Sequence, residues 1–128
     1  MTTVLVTGGR DFVERDLTFA IMDFINTGPA TGPITLLIHG GARGADSMAN
    51  TWAIERGVRR DIHRPKYQYD GDKRAPLGRN QEMVDLKPDF VVQFPGGAGT
   101  ADCVTRARQA NIPVLTVTEP RKEGWADE

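Results

Sequence analysis

Three times along this chain a short apolar, β-branched run ends in glycine and gives way to helical spacing, and that repetition constrains the fold more than any other feature. Val4-Leu5-Val6 leads into Thr7-Gly8-Gly9-Arg10-Asp11. Ile34 to Ile38 leads into His39-Gly40-Gly41-Ala42-Arg43-Gly44-Ala45-Asp46, and Phe90-Val91-Val92 into Pro95-Gly96-Gly97-Ala98-Gly99-Thr100. A strand, a tight turn and a helix in that order bring the unpaired N–H groups of the helix's first turn, and the positive end of its dipole, to the turn. Such a unit binds anions, phosphate above all. Glycine bends freely there and puts no side chain between donors and ligand. Two of the loops also carry an arginine, Arg10 and Arg43, whose guanidinium forks onto phosphate oxygens.

The rest of the chain supplies the alternation that gathers these loops. Thr3 to Thr7 reads as a buried strand, and Leu17, Ala20, Ile21, Phe24 and Ile25 share one helical face. Breakers from Asn26 to Pro33 end that helix. Ile34 to His39 is continuously apolar, as in a sheet covered on both faces. Ala45, Met48, Ala49, Trp52 and Ala53 form a second stripe, with Gly57 as its C-cap. Arg59 to Arg64 reads as a short strand near an edge, and Lys66 to Pro76, with Tyr67 and Tyr69, as a long loop. Then come a helix from Leu77 to Leu86, a strand from Asp89 to Phe94, a helix from about Thr100 to Ala110 and a strand from Val114 to Val117. Strands alternating with helices predict an α/β, Rossmann-like three-layer sandwich: a mostly parallel five-stranded sheet with helices on both faces. The domain is expected to span 1–117, followed by a polar tail, 118–128, that carries Trp125. Ligands of such sheets bind beyond the carboxyl ends of the strands, at the topological switch point, and all three glycine loops lie at those ends.

Composition removes several function classes. With 16 basic and 17 acidic residues the net charge is −1, so no global field draws the chain onto nucleic acid or a membrane. One cysteine, Cys103, excludes an intramolecular disulfide, and His39 and His63 are too few for a zinc constellation; neither a metal nor a cofactor is expected. No apolar run approaches a membrane span, and the chain opens straight into a strand, so a cytoplasmic location is expected.

Four marks together, Gly8-Gly9-Arg10-Asp11-Phe12, His39 to Asp46, Gly78-Arg79-Asn80-Gln81-Glu82-Met83 and Pro95 to Thr100, resemble the SLOG superfamily of Rossmann-like domains, and within it the YspA-like branch of small bacterial and phage proteins. The resemblance runs from Val4 to about Val117. It implies a site for a nucleotide or nucleotide-derived small molecule, and a homo-oligomer, a dimer or higher. The superfamily includes "Lonely guy" phosphoribohydrolases, which cleave the N-glycosidic bond of nucleoside monophosphates, sensor domains for nucleotide signals such as cyclic ADP-ribose species, and DNA-processing proteins. The hydrolases carry Pro-Gly-Gly-x-Gly-Thr-x-x-Glu and an upstream Arg-Lys pair. Here the first six positions match, but Cys103 stands where the catalytic Glu belongs, and Asn80 follows Arg79 where Lys would.

Each residue carries two readings. Pro95, Gly96, Gly97, Gly99 and Thr100 either cradle a phosphate or make a tight strand-to-helix turn. Gly8, Gly9, Gly40, Gly41 and Gly44 divide the same way, Gly44 also serving close approach of helix and strand. Arg43 and Arg79 are the foremost phosphate contacts, with Arg10 and Asn80 beside them; a solvated arginine or an ion pair is the alternative. Asp46 holds a ribose hydroxyl or caps its helix. Glu82, one turn after Arg79, is the best substitute base for the missing carboxylate, or a solvated helix residue. Cys103 reads as a small buried residue and His39 as a bonded scaffold residue. The functional expectation is a sensor or sequestering module for a phosphorylated nucleotide or ADP-ribose-type ligand, in a phage setting directed at a defence signal. The alternative is a phosphoribohydrolase. DNA binding is disfavoured, because a phosphate backbone demands a basic stripe.

Overall fold

The computed structural model describes residues 1–118; the expected tail beyond Thr118, including Trp125, lies outside the described residues. Among them strand and helix alternate throughout: β1 (Thr2–Thr7), α1 (Arg15–Thr27), β2 (Ile34–His39), α2 (Ala45–Arg56), β3 (Arg59–Ile62), α3 (Arg74–Asp85), β4 (Phe90–Gln93), α4 (Ala98–Gln109) and β5 (Val114–Thr116). The sheet order is β3-β2-β1-β4-β5 and every pairing is parallel. The chain therefore winds outward from β1 to β3, crosses back over α3, and winds outward again from β4 to β5. The winding reverses between β1 and β4. A Rossmann-like sheet opens a crevice at that point.

Side-chain alternation splits the core in two. Val4, Val6, Leu37 and Val92 face α1 and α2, where Met22, Ile25, Ala49 and Trp52 cover them. Leu5, Ile38 and Val91 face α3 and α4, where Met83, Val84, Cys103 and Ala107 lie. Both faces of the central strands are buried, which is why those strands read as unbroken apolar runs. The outer strands are polar: Arg59, Arg60 and Thr116 are exposed, which blunts the sheet edges.

Three details depart from the sequence reading. The buried face of α1 is Thr18, Met22 and Ile25, whereas Ala20 is exposed and Phe24 is 76% exposed. Thr18 can be buried because its hydroxyl donates to the Glu14 carbonyl at 2.9 Å. Helix α3 starts at Arg74, earlier than Leu77, because the buried Asp72 accepts the Arg74 N–H at 3.0 Å and a proline, Pro76, is tolerated in a first turn. Helix α4 starts at Ala98, so Gly99 and Thr100 belong to its first turn. No helix among the described residues is long and apolar enough to cross a membrane.

Candidate functional site

The first and third glycine loops lock together at the switch point. The Gly9 N–H donates to the Pro95 carbonyl at 2.8 Å, and a Cβ on Gly9 would lie 3.0 Å from the Gly96 Cα. A Cβ on Gly96 would strike the Thr100 hydroxyl, and one on Gly8 would meet Ala45 Cβ at 2.5 Å. Gly44, at φ +80°, is pressed against the Gly9 and Arg10 carbonyls. Gly8, Gly9, Gly44 and Gly96 are thus glycines because neighbouring segments approach too closely there for a side chain. Gly97 and Gly99 differ: a Cβ on either meets nothing within 4 Å. They sit at the N-terminus of α4 and open onto space.

That space is a cavity of about 360 Å³, floored by Val6 and Thr7 and walled by Gly8, Gly9 and Arg10 from the first loop, by Gly97, Gly99 and Thr100 from α4, and by Arg79, Asn80 and Met83 from α3. Asn80 is buried and donates its amide to the Gly99 carbonyl and to Asp102 Oδ2, both at 3.1 Å, tying α3 to the first turn of α4. Arg79 donates Nη1 to the Gly40 carbonyl at 2.8 Å, while its Nε is buried and has no hydrogen-bond partner.

The second loop is built differently. Gly40 and Ala42 donate their N–H groups to Asp46 Oδ2 at 3.1 and 3.3 Å, and the Gly41 N–H donates to His39 Nδ1 at 3.0 Å. Its backbone donors are therefore taken by side chains of the same segment. Asp46 neither caps its own helix nor stands free; it clamps the loop that precedes it. Burial raises its pKa, against the His39 charge and the two loop N–H bonds. A second cavity, about 480 Å³, opens where this loop faces Arg64, Pro65 and Tyr67, and it shares Arg10, Ala42 and Arg79 with the first. Arg43 lines it too, exposed and 3.3 Å from the equally exposed Asp11.

The family model described as YspA, cpYpsA-related SLOG matches residues 2–68. Gene 61 protein of Mycobacterium phage D29 is 36% identical over 125 residues, covering 90% of this chain and 95% of its own length. The chain belongs to the YspA, cpYpsA-related SLOG family. The crystal structure of TM1055, a structural-genomics target, superposes with a TM-score of 0.69 at 21% identity, over 89% of this chain and 72% of that one, and shares the fold.

Against the hydrolase motif of the SLOG superfamily, the position of the missing carboxylate is closed. Cys103 is fully buried under Thr7, and burial pushes its thiol up to about 11, the Thr7 hydroxyl opposing. Glu82 does not border the glycine loops: its Oε1 is 3.2 Å from Lys66 Nζ and 4.0 Å from His63 Nδ1, on the far side of Arg79. Asp102 is engaged by Arg106 at 2.8 Å and by Asn80; burial works against its ionisation, but these bonds hold its carboxyl below the usual range. Arg64 escaped the sequence reading. The available signal was positional: it follows β3, whose carboxyl end lies on the same sheet edge as the glycine loops.

His39 is scaffold, 2% exposed, with Nε2 against Asn50 Oδ1 at 2.9 Å and Nδ1 accepting from Gly41. Burial lowers its pKa, with Arg64 and Arg60 adding to that and Asn50 and Asp46 opposing. A depressed folded-state value means that His39 stabilises the fold fully above the unfolded histidine value of about 6.5 and loses that contribution as pH falls below it. Asp46, with its raised value, carries the opposite sign from the usual carboxylate range upward. Urea midpoints measured between about pH 7.5 and 5 should fall more steeply for wild type than for His39→Gln. Parallel curves would assign the acid sensitivity elsewhere.

Proposed function

We propose that the cleft binds a phosphorylated nucleoside, a nucleotide or an ADP-ribose-type molecule, and that the protein senses or sequesters it. The phosphate meets the first turn of α4, where Gly97 and Gly99 leave room, and the Arg79 guanidinium opposite. The observation that carries this reading is Arg79: its Nε is buried and unsatisfied at the wall of a cavity that a helix N-terminus also lines. A buried unpaired donor on a charged group is costly, and an anion relieves it. Hydrolysis has weaker support. Among the described residues the only carboxylate lining the first cavity is Asp46, which is committed to the Gly40 and Ala42 N–H groups. The phage origin of Gene 61 protein supports a role in blunting a nucleotide signal.

Thermal shift with adenosine and adenosine monophosphate tests this directly, because a ligand selective for the native state raises the melting point. The monophosphate should stabilise and the nucleoside should not; equal shifts would sink the idea. Arg79→Ala should weaken monophosphate binding by about 1.5–3 kcal/mol, read by calorimetry, while its own melting point stays within about 5 °C of wild type. Mass spectrometry after incubation with a nucleotide panel should recover the ligand intact. Free base with sugar phosphate would establish the hydrolase.

A further inference from the structure

The second glycine loop spends its N–H groups on its own side chains, yet Gly40 and Gly41, the latter at φ +73°, leave space that arginine fills. A Cβ on Gly40 would strike the Arg79 guanidinium, and one on Gly41 would lie 2.7 Å from Arg64 Nη1. The carbonyls of the same two residues receive those side chains: Gly40 from Arg79 Nη1 at 2.8 Å, and Gly41 from Arg64 Nη1 at 3.1 Å. Consecutive glycines thus seat two guanidiniums side by side on the backbone. Arg43 and Arg10 line the same 480 Å³ cavity. Among the described residues Asp11 pairs with Arg43, and the buried Asp46, held by the Gly40 and Ala42 N–H groups, offsets part of the Arg79 charge; Arg10 and Arg64 form no salt bridge.

Holding four like charges around one cavity is unfavourable unless an anion shares it. We infer that this cavity is a second anion subsite, taking the distal phosphate of a ligand whose first phosphate lies at α4, so that the cleft selects nucleotides with two phosphates over monophosphates. Arg79, Arg10 and Ala42 line both cavities, so one ligand can run continuously from one subsite to the other. Arg64 and Arg43 grip the distal phosphate. Tyr67, 53% exposed at the rim, offers a ring face to whatever lies beyond it. This inference rests on the nucleotide reading above.

The test is calorimetry at fixed ionic strength with two probes, adenosine monophosphate and ADP-ribose, on wild type, Arg64→Ala, Arg64→Lys and Arg108→Ala. Wild type should bind ADP-ribose at least about tenfold more tightly than the monophosphate. Arg64→Ala should erase that advantage and change monophosphate binding by less than about threefold. Arg64→Lys should keep only part of it, because a point charge replaces a fork. Arg108→Ala, which removes the same charge from an exposed position in the last turn of α4, should leave both affinities unchanged. Monophosphate binding with no ADP-ribose advantage, or an Arg64→Ala loss shared equally by both probes, overturns the second subsite alone. Failure of both probes to bind overturns the nucleotide reading and the subsite with it.

Discussion

Gly44→Ala should destabilise the protein by about 2–4 kcal/mol, while Gly99→Ala should leave it as stable as wild type or raise it by about 0.5–1 kcal/mol. Both residues belong to glycine-rich loops at the same sheet edge, and only their surroundings separate them. Gly44 has φ +80°, a conformation that costs an L-residue energy by itself, and its Cβ would also run into the Gly9 carbonyl and come within 2.6 Å of the Arg10 carbonyl. Those atoms are backbone and cannot swing aside. Gly99 lies in the first turn of α4 with open space at its Cβ position, so alanine there gains helix propensity. The added methyl projects from a wall of the cleft and should weaken nucleotide binding in a protein of undiminished stability. Urea denaturation and calorimetry on the two variants read both quantities. A Gly44→Ala protein within about 0.5 kcal/mol of wild type would show that the loops are not in the contact described.

Cys103→Glu, which restores the hydrolase motif, should cost about 3–5 kcal/mol and create no glycosidase. The thiol is fully buried in the layer of Leu5, Met83, Val84 and Val91, beneath the floor of the cleft. A glutamate there adds volume to a filled layer and buries a carboxyl where desolvation and the Asp46 and Asp102 charges outweigh the Arg79 charge, so the group takes up a proton or the helix moves. Neither outcome delivers a carboxylate to the cleft. Cys103→Ala, which removes only a sulfur, should cost about 1 kcal/mol and provides the folded comparison. A stable Cys103→Glu protein that releases adenine from adenosine monophosphate would overturn both the packing argument and the binder reading.

Much of the fold is legible in the one-dimensional pattern. Continuous apolar runs mark β1, β2 and β4 because those strands are covered on both faces, and Gly57 marks the end of α2 because it adopts φ +69° there. The edge character of β3 shows in its polar residues Arg59, Arg60 and Asp61. The face of α1 was legible less well: Phe24 fits the helical stripe by hydrophobicity yet points outward, while Thr18 is buried once its hydroxyl is bonded within the helix. Hydropathy does not record that internal satisfaction.

The site divides along the same line. Motif and order alone determined that glycine loops follow parallel strands, and hence that Gly8, Gly9, Gly97, Gly99 and Thr100 meet at one edge, because a parallel sheet puts every carboxyl end on the same side; Arg79 was singled out by the family mark it belongs to. Only the tertiary structure decided what each glycine is for. Gly8, Gly9, Gly44 and Gly96 let neighbouring segments approach closely, Gly40 and Gly41 seat arginines, and Gly97 and Gly99 face open space. It also decided that Asp46 closes the second loop, that Glu82 lies away from the cleft beside Lys66, and that Arg64 joins it. The physical reason is range. A turn's backbone preference is set by its own few residues, whereas the atoms that crowd Gly8, Gly9, Gly40, Gly41 and Gly44, and the carbonyls that receive Arg64 and Arg79, come from segments about 20 to 90 residues away in the chain.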